Sequence, residues 1–295
     1  MNLSSQQTRP AVNSAASSSD GATHPLLHVA DLEVTYGQGE YSSTIIRGLD
    51  FTAAAGAFVC VVGPSGVGKT TLIRCLSGLQ KPTAGRILID GRELDGPPEG
   101  LALVSQDYTR SLMPWMSVQA NVSLPLRGKR ISKVEVRSRV AGALEAVGLS
   151  QTANQYPRQL SGGMQQRISI ARALAYEPRI LVMDEPFASL DAQTRAEQED
   201  LLLQLQHTRG ITTVLVTHDI DEAVYLADQV VIIGGRPART RERVNVGLGA
   251  QRNQISTRSS SEFLTQRTRV LERVIALRHE LADDLDPQYE SKERI

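Results

Sequence analysis

Cysteine is nearly missing. The 295 residues contain two, Cys60 in an apolar strand-like run and Cys75 on the helix that follows; such a pair is no disulfide framework, and both read as reduced core residues. Long apolar runs are missing too. The best, AAAGAFVCVV from Ala53 to Val62, has the length of a strand, well below the roughly eighteen apolar residues of a membrane span, so a membrane role has to come through a partner. Net charge is absent: 32 Lys and Arg balance 32 Asp and Glu, leaving no global field to draw nucleic acid. Residues 1–25 are rich in Ser, Ala, Asn and Gln and lack the apolar h-region of a signal peptide. They read as a disordered tail of a chain expected in the cytoplasm. No internal repeat is visible.

An apolar content of 41% is ordinary for a globular protein with a real core. LHVADLEVTY (Leu27 to Tyr36) alternates like a half-buried strand, and GAFVCVVG (Gly56 to Gly63) suits a strand covered on both faces. A glycine-rich loop then opens a helix through Leu79. RILIDG (Arg86 to Gly91) ends in an Asp-Gly turn and LALVSQ (Leu101 to Gln106) is a further strand. Ser117 to Gly148 looks mainly helical, broken near Gly128. Helix follows from Gly162 to Tyr176, strand from Ile180 to Asp184, helix from Asp191 to His207, strand from Thr212 to Thr217, helix to Ala227 and strand from Gln229 to Ile233. Strands alternating with helices imply a mostly parallel sheet with crossover helices, interrupted by a helical insertion over about residues 107–165. After Gly235 the pattern lapses into a polar linker (236–260), then a helix is expected over 261–285, with Phe263, Val270, Val274, Leu277 and Leu281 near one face and Arg267 breaking the stripe. Docking on the main domain (26–235) is the expectation for it, and 286–295 form a tail. The arginines at 236, 239, 241 and 243 and the acidic end from Glu280 read as solvated surface.

GPSGVGKTT, Gly63 to Thr71, fits G-x-x-x-x-G-K-[ST] between a strand and a helix, the context a phosphate-binding loop requires. Gly63, Gly66 and Gly68 let backbone amides, those of Pro64-neighbouring Ser65 and of Val67 among them, curl around phosphate oxygens. The helix N-terminus adds partial positive charge, Lys69 a full one, and Thr70 a hydroxyl suited to Mg²⁺. ILVMDEP, Ile180 to Pro186, ends a buried strand in two carboxylates whose side chains leave in opposite directions. They can divide the labour, Asp184 holding the Mg²⁺ shell and Glu185 deprotonating an attacking water. LSGGMQQR (160–167) raises a different question, because two glycines at a helix start cost about 1 kcal/mol each relative to Ala. Something has to approach that backbone closely.

In this order the motifs resemble those of the ATP-binding cassette family, the ATPases of ABC transporters, over about Leu27 to Ile233. GPSGVGKTT matches the Walker A loop, ILVMDEP the Walker B strand and LSGGMQQR the family signature. Gln106 falls at the Q-loop, ASLD (Ala188 to Asp191) at the D-loop and His218 of VTHD at the switch histidine. Tyr36 lies where the family stacks an aromatic ring on adenine, with Tyr41 as the alternative. The resemblance implies an α/β phosphate-loop cassette with a RecA-like sheet, an antiparallel β subdomain and a helical signature subdomain. It implies ATP and Mg²⁺ as cofactors and a head-to-tail homodimer. In that dimer ATP binds Tyr36, residues 63–71 with Lys69, Thr70 and Thr71, and Ser161, Gly162, Gly163 and Asp191 of the other copy; Glu185, His218 and Gln106 do the catalytic work, and Thr70, Asp184 and Gln106 serve the metal.

MPWMSVQANVSLPL, PFASLDAQTR and THDIDEAVYLADQVVII are similar to the nitrate, taurine and alkanesulfonate group of import ATPases. The expectation is an ATP-hydrolysing importer subunit, peripheral on the cytoplasmic side of the inner membrane, driving separate permease subunits and served indirectly by a periplasmic solute-binding protein, without nucleic acid. Met113, Trp115 and Met116 are either core of the helical insertion or the surface that receives a permease helix. The alternative function is a soluble cassette ATPase acting on nucleic acid or an assembly scaffold.

Overall fold

The computed structural model describes residues 25–283; the tail expected over 1–25 lies outside them but for Pro25, as does the end of the chain. In chain order the elements are β1 (Leu27–Tyr36), β2 (Ser43–Ala53), β3 (Phe58–Val62), α1 (Lys69–Leu76), β4 (Ala84–Ile89), β5 (Arg92–Glu93), β6 (Leu101–Val104), α2 (Tyr108–Ser111), α3 (Val118–Val122), α4 (Lys133–Ala146), α5 (Gly162–Ala175), β7 (Ile180–Asp184), α6 (Ala192–Arg209), β8 (Thr212–Thr217), α7 (Ile220–Leu226), β9 (Gln229–Gly234), β10 (Arg239–Asn245) and α8 (Ser261–Asp283).

Two sheets carry the fold. β2-β1-β4-β5 is antiparallel, and β10-β9-β3-β8-β7-β6 is parallel except for β10. Each strand of the parallel core is apolar on both faces because each face has a cover. Along β3, Phe58, Cys60 and Val62 face one cluster with the helical insertion, α6, α7 and α8. Val59 and Val61 face a second, with α1 and the antiparallel sheet. Both cysteines are buried and free, as expected of core thiols.

Three sequence expectations need correction. Strand β2 was not foreseen; Gly48 at φ +70° and a register shift against β1 interrupt its alternation. The span 236–260 is not all linker, since residues 239–245 pair antiparallel with β9. Their arginines are not simply solvated: Arg241 donates to the Gly234 carbonyl at 3.1 Å and pairs with Glu280 at 3.3 Å, while Arg243 pairs with Asp50. Helix α8 does dock. Its five apolar stripe residues are buried, about 2 kcal/mol for each side chain removed from water. Gly234 makes the close approach possible, because a Cβ there would stand 2.9 Å from Leu277 Cδ1. Arg267, which breaks the stripe, pairs with Asp221 of α7 at 2.7 Å.

Candidate active site

Strand register builds the site. Val62 pairs with Thr217, Asp184 with Val216, and Met183 with Val104. The C-terminal ends of β3, β8, β7 and β6 therefore lie side by side, where ligands of open α/β sheets bind. The phosphate loop follows β3, His218 follows β8, Glu185 follows β7, and Gln106 follows β6 by one residue more.

Within the loop, Gly66 and Gly68 have φ of +74° and +114°, conformations that side-chain-bearing residues rarely adopt. Gly63 is required for another reason, since a Cβ there would collide with the Ile233 carbonyl. The curled backbone holds Lys69, whose ammonium is buried and donates to the carbonyls of Gly63 at 2.9 Å and Pro64 at 3.1 Å. Burial lowers the Lys69 pKa, and the charges of Glu185 and Asp184 oppose that shift. Ser65 and Thr70 are exposed at the loop, Val67 is buried beneath it, and Thr71 is buried on α1. Tyr36 Oη donates to Gln80 Oε1 at 2.7 Å and lies 3.4 Å from Thr71 Oγ1, which places the tyrosine beside the start of α1. Tyr41 is 90% exposed.

Glu185 sits at φ +41°, a strained setting for a residue with a Cβ. Its amide donates to the Val216 carbonyl at 2.8 Å. Its Oε2 receives Gln106 Nε2 at 3.3 Å and meets His218 Nδ1 at 3.1 Å. Two sequence-predicted residues thus converge on one carboxylate oxygen of a third. Asp184 is different: burial raises its pKa, Glu185 raises it further, and Lys69 lowers it. A half-buried carboxylate pushed up in this way is stabilised by a cation. Its carboxylate, the Thr70 hydroxyl and the Gln106 amide oxygen are hard oxygen donors of the kind Mg²⁺ prefers. No group of three or more His, Cys, Asp or Glu among the described residues could hold a metal by itself.

Ser161, Gly162 and Gly163 lie elsewhere on the chain. Ser161 caps α5, its hydroxyl accepting from the Met164 amide at 3.3 Å, and no hydrogen bond joins 161–163 to 63–71 among the described residues. Asp191 caps α6, accepting from the Thr194 amide at 2.9 Å and hydroxyl at 2.7 Å; those bonds lower its pKa. Ser161, Gly162 and Asp191 are exposed. Sequence reasoning missed Thr194 and Arg195. Their only signal was position, three and four residues after the Asp191 cap, where side chains return to the helix start.

A parallel sheet with a phosphate loop after β3 and paired acids at the end of β7 defines a phosphate-loop nucleotide-binding protein. A family model described as ABC transporter matches residues 46–188, and the chain belongs to that family. It is 40% identical over 239 residues to an aliphatic sulfonates import ATP-binding protein of Bacillus licheniformis, covering 81% of this chain and 90% of that one. A taurine import ATP-binding protein of Pseudomonas aeruginosa is 44% identical, covering 73% and 81%. A nitrate import ATP-binding protein of Synechocystis is 38% identical, covering 75% and 83%. Among solved structures, cbiO1 of Clostridium perfringens, part of an ABC transporter complex, superposes with TM-score 0.69 at 31% identity over 75% of this chain and 88% of that one. An ATP-binding cassette dimer in a post-hydrolysis state with ADP and Pi gives 0.64 at 31% over 74% and 98%. No helix among the described residues is long and apolar enough to cross a membrane.

Proposed function

We propose that the chain is the ATP-hydrolysing subunit of an ABC importer for a small anion or organic solute of the sulfonate, taurine or nitrate kind. The observation that carries the hydrolytic part is the convergence of Gln106 and His218 on Glu185, beside a lysine held in a phosphate loop. Import and solute class rest on the three import relatives. The loop amides and Lys69 hold the β and γ phosphates, Tyr36 lies against adenine, and Thr70 with Asp184 holds Mg²⁺, which when bound neutralises phosphate charge. Glu185 takes a proton from water as its oxygen bonds to the γ phosphorus and the bond to the bridging oxygen of ADP breaks. His218 fixes the Glu185 carboxylate and faces the γ phosphate.

The nucleotide is completed by a second copy related by a two-fold axis. The partner supplies a Ser161 hydroxyl and Gly162 and Gly163 amides at a helix N-terminus to the γ phosphate. The exposure of Ser161 and Gly162 and the half-exposure of Gly163 agree with such a role. ATP then favours the closed pair, and loss of the γ phosphate reopens it. The permease docks at the edge of the sheet. Trp115 is 73% exposed, and beside β6 a cavity of about 410 Å³ is lined by Leu101, Leu103, Leu124, Pro125 and Tyr176. The assembly sits on the cytoplasmic face of the membrane, with a solute-binding protein on the other side. Reconstitution with the cognate permease and binding protein tests this: sulfonate, taurine or nitrate should stimulate ATP hydrolysis. Stable nucleic-acid binding with no permease in the purified complex would replace it by the soluble-ATPase alternative.

A further inference from the structure

Between the residue beside His218 and the turn that ends at Asp191 runs a single guanidinium. Arg195, in the first turns of α6, donates through Nη1 to Asp219 Oδ2 at 2.9 Å and through Nη2 to the Leu190 carbonyl at 3.3 Å. Its side chain is 32% exposed and that of Asp219 28%. Among the described residues Nε is buried without a partner, and the head group is held by its two Nη contacts.

Each end of this bridge touches something the proposed chemistry uses. Leu190 precedes Asp191, which caps α6 and is exposed where the second copy would close. Asp219 follows His218 in the chain and is fixed by two further bonds. Its Oδ1 accepts the Glu222 amide at 3.0 Å as the cap of α7, and its own amide donates to Thr217 Oγ1 at 3.0 Å. His218 Nδ1 is in turn 3.1 Å from Glu185 Oε2. The path therefore reads Asp191, Leu190 carbonyl, Arg195, Asp219, His218, Glu185, with a chain bond or a measured contact at every step. Asp219 has a role in α7 that needs no charge, because a neutral oxygen caps a helix equally well. The other carboxylate oxygen, Oδ2, is the one that pairs with Arg195.

We infer that Arg195 is a positioning residue for hydrolysis: through Asp219 it holds His218 against Glu185 and makes that placement depend on the orientation of residues 188–191. The inference rests on the proposed roles of Glu185 and His218. It assigns to the Arg195–Asp219 pair no contact with ATP, so its effect belongs in kcat and not in nucleotide affinity.

Two variants of the full chain separate positioning from mere bracing. Asp219→Asn keeps the cap and removes the charge. Arg195→Lys keeps the charge and loses the fork that spans Asp219 and the Leu190 carbonyl. Each should lower kcat for ATP hydrolysis by about tenfold with KM for ATP within about twofold, while the melting temperature stays near wild type. Arg195→Ala should lose more than Arg195→Lys, so that the cation gives partial rescue. Unchanged kcat in Asp219→Asn or in Arg195→Lys, or a fall in kcat that tracks a fall in melting temperature across the series, overturns the inference. Glu185→Gln, assayed beside them, keeps the two levels apart. Its failure to reduce hydrolysis removes the site reading and this inference together, whereas loss in Glu185→Gln with wild-type kcat in Asp219→Asn removes the Arg195 role alone.

Discussion

Gly163 and Thr194 approach so closely that a Cβ on the glycine would stand 2.6 Å from Thr194 Cγ2. Thr194 cannot easily turn aside, because its hydroxyl and amide both bond the Asp191 carboxylate. The start of α5 is thus packed on the start of α6, joining the LSGGMQQR stretch to the turn at 188–191. Alanine in a helix is ordinarily better than glycine by about 1 kcal/mol, but overpacking costs about 1–3 kcal/mol. Gly163→Ala should therefore lower the melting temperature, read by calorimetry, and loosen the Asp191 cap. Gly162→Ala, at an exposed position, should leave ATP binding to the isolated subunit largely intact and impair closure and hydrolysis. Equal loss of binding, closure and hydrolysis in Gly162→Ala would return that glycine to a folding role.

Glu185→Gln tests the base. The amide keeps the size of the side chain and a hydrogen-bonding partner for Gln106 or His218, but it cannot take a proton from water. ATP binding should persist, hydrolysis should fall by about a hundredfold or more, and a closed dimer should accumulate with ATP. Size-exclusion chromatography with and without ATP reads the dimer, and single-turnover assays read the chemistry. A variant that hydrolyses ATP at the wild-type rate ends the assignment.

The core strands were legible because both of their faces are buried, which leaves unbroken apolar runs: β7 and β8 have the bounds their composition suggests. The phosphate loop was legible because its glycines answer local backbone demands. Strands β2 and β10 were not: Gly48 and a register shift break the alternation of β2, and β10 carries arginines whose partners lie far away in sequence. Arg243 finds Asp50, and Arg241 finds Glu280. Within the site, residue types and order were readable, but their convergence on one oxygen of Glu185 depends on strand order and register. No local pattern encodes which strand lies next to which. The Arg195–Asp219 pair was hidden for the same reason, because its two residues are joined only by the neighbouring positions of β7 and β8 in the sheet.

Trp115 tests the docking surface. A side chain of that size left 73% exposed gives little to the stability of the fold, so Trp115→Ala should change the melting temperature by no more than a few degrees. If the permease covers it, loss of its contact area should cost about 2 kcal/mol or more of docking. Solute uptake by the reconstituted complex should then fall while basal ATP hydrolysis by the isolated subunit stays unchanged. Normal uptake by that variant would place the permease elsewhere.

Glu222 tests the interior. Its side chain is buried on α7, one carboxylate oxygen has no partner among the described residues, and burial pushes its pKa well up, with Glu199 and Asp219 adding to the rise and Arg195 and a Thr217 hydrogen bond opposing it. Glu199 shifts the same way from burial, offset by Arg258 and Gln254. A carboxyl whose folded pKa is raised is protonated in the native state while the unfolded chain has already ionised. The native state then binds more protons, and stability falls as pH rises above the ordinary glutamate value of 4.5. The contribution is full below that pH and is lost as pH climbs through the raised pKa. Glu222→Gln removes the proton linkage and keeps the shape. Urea unfolding from pH 5 to pH 8 should show a flatter stability profile in the variant, with the advantage over wild type growing by up to about 1.4 kcal/mol per pH unit. A difference between the two proteins that stays constant across that range would mean that the native carboxyl ionises as readily as the unfolded one, and that Arg195 and Thr217 outweigh burial.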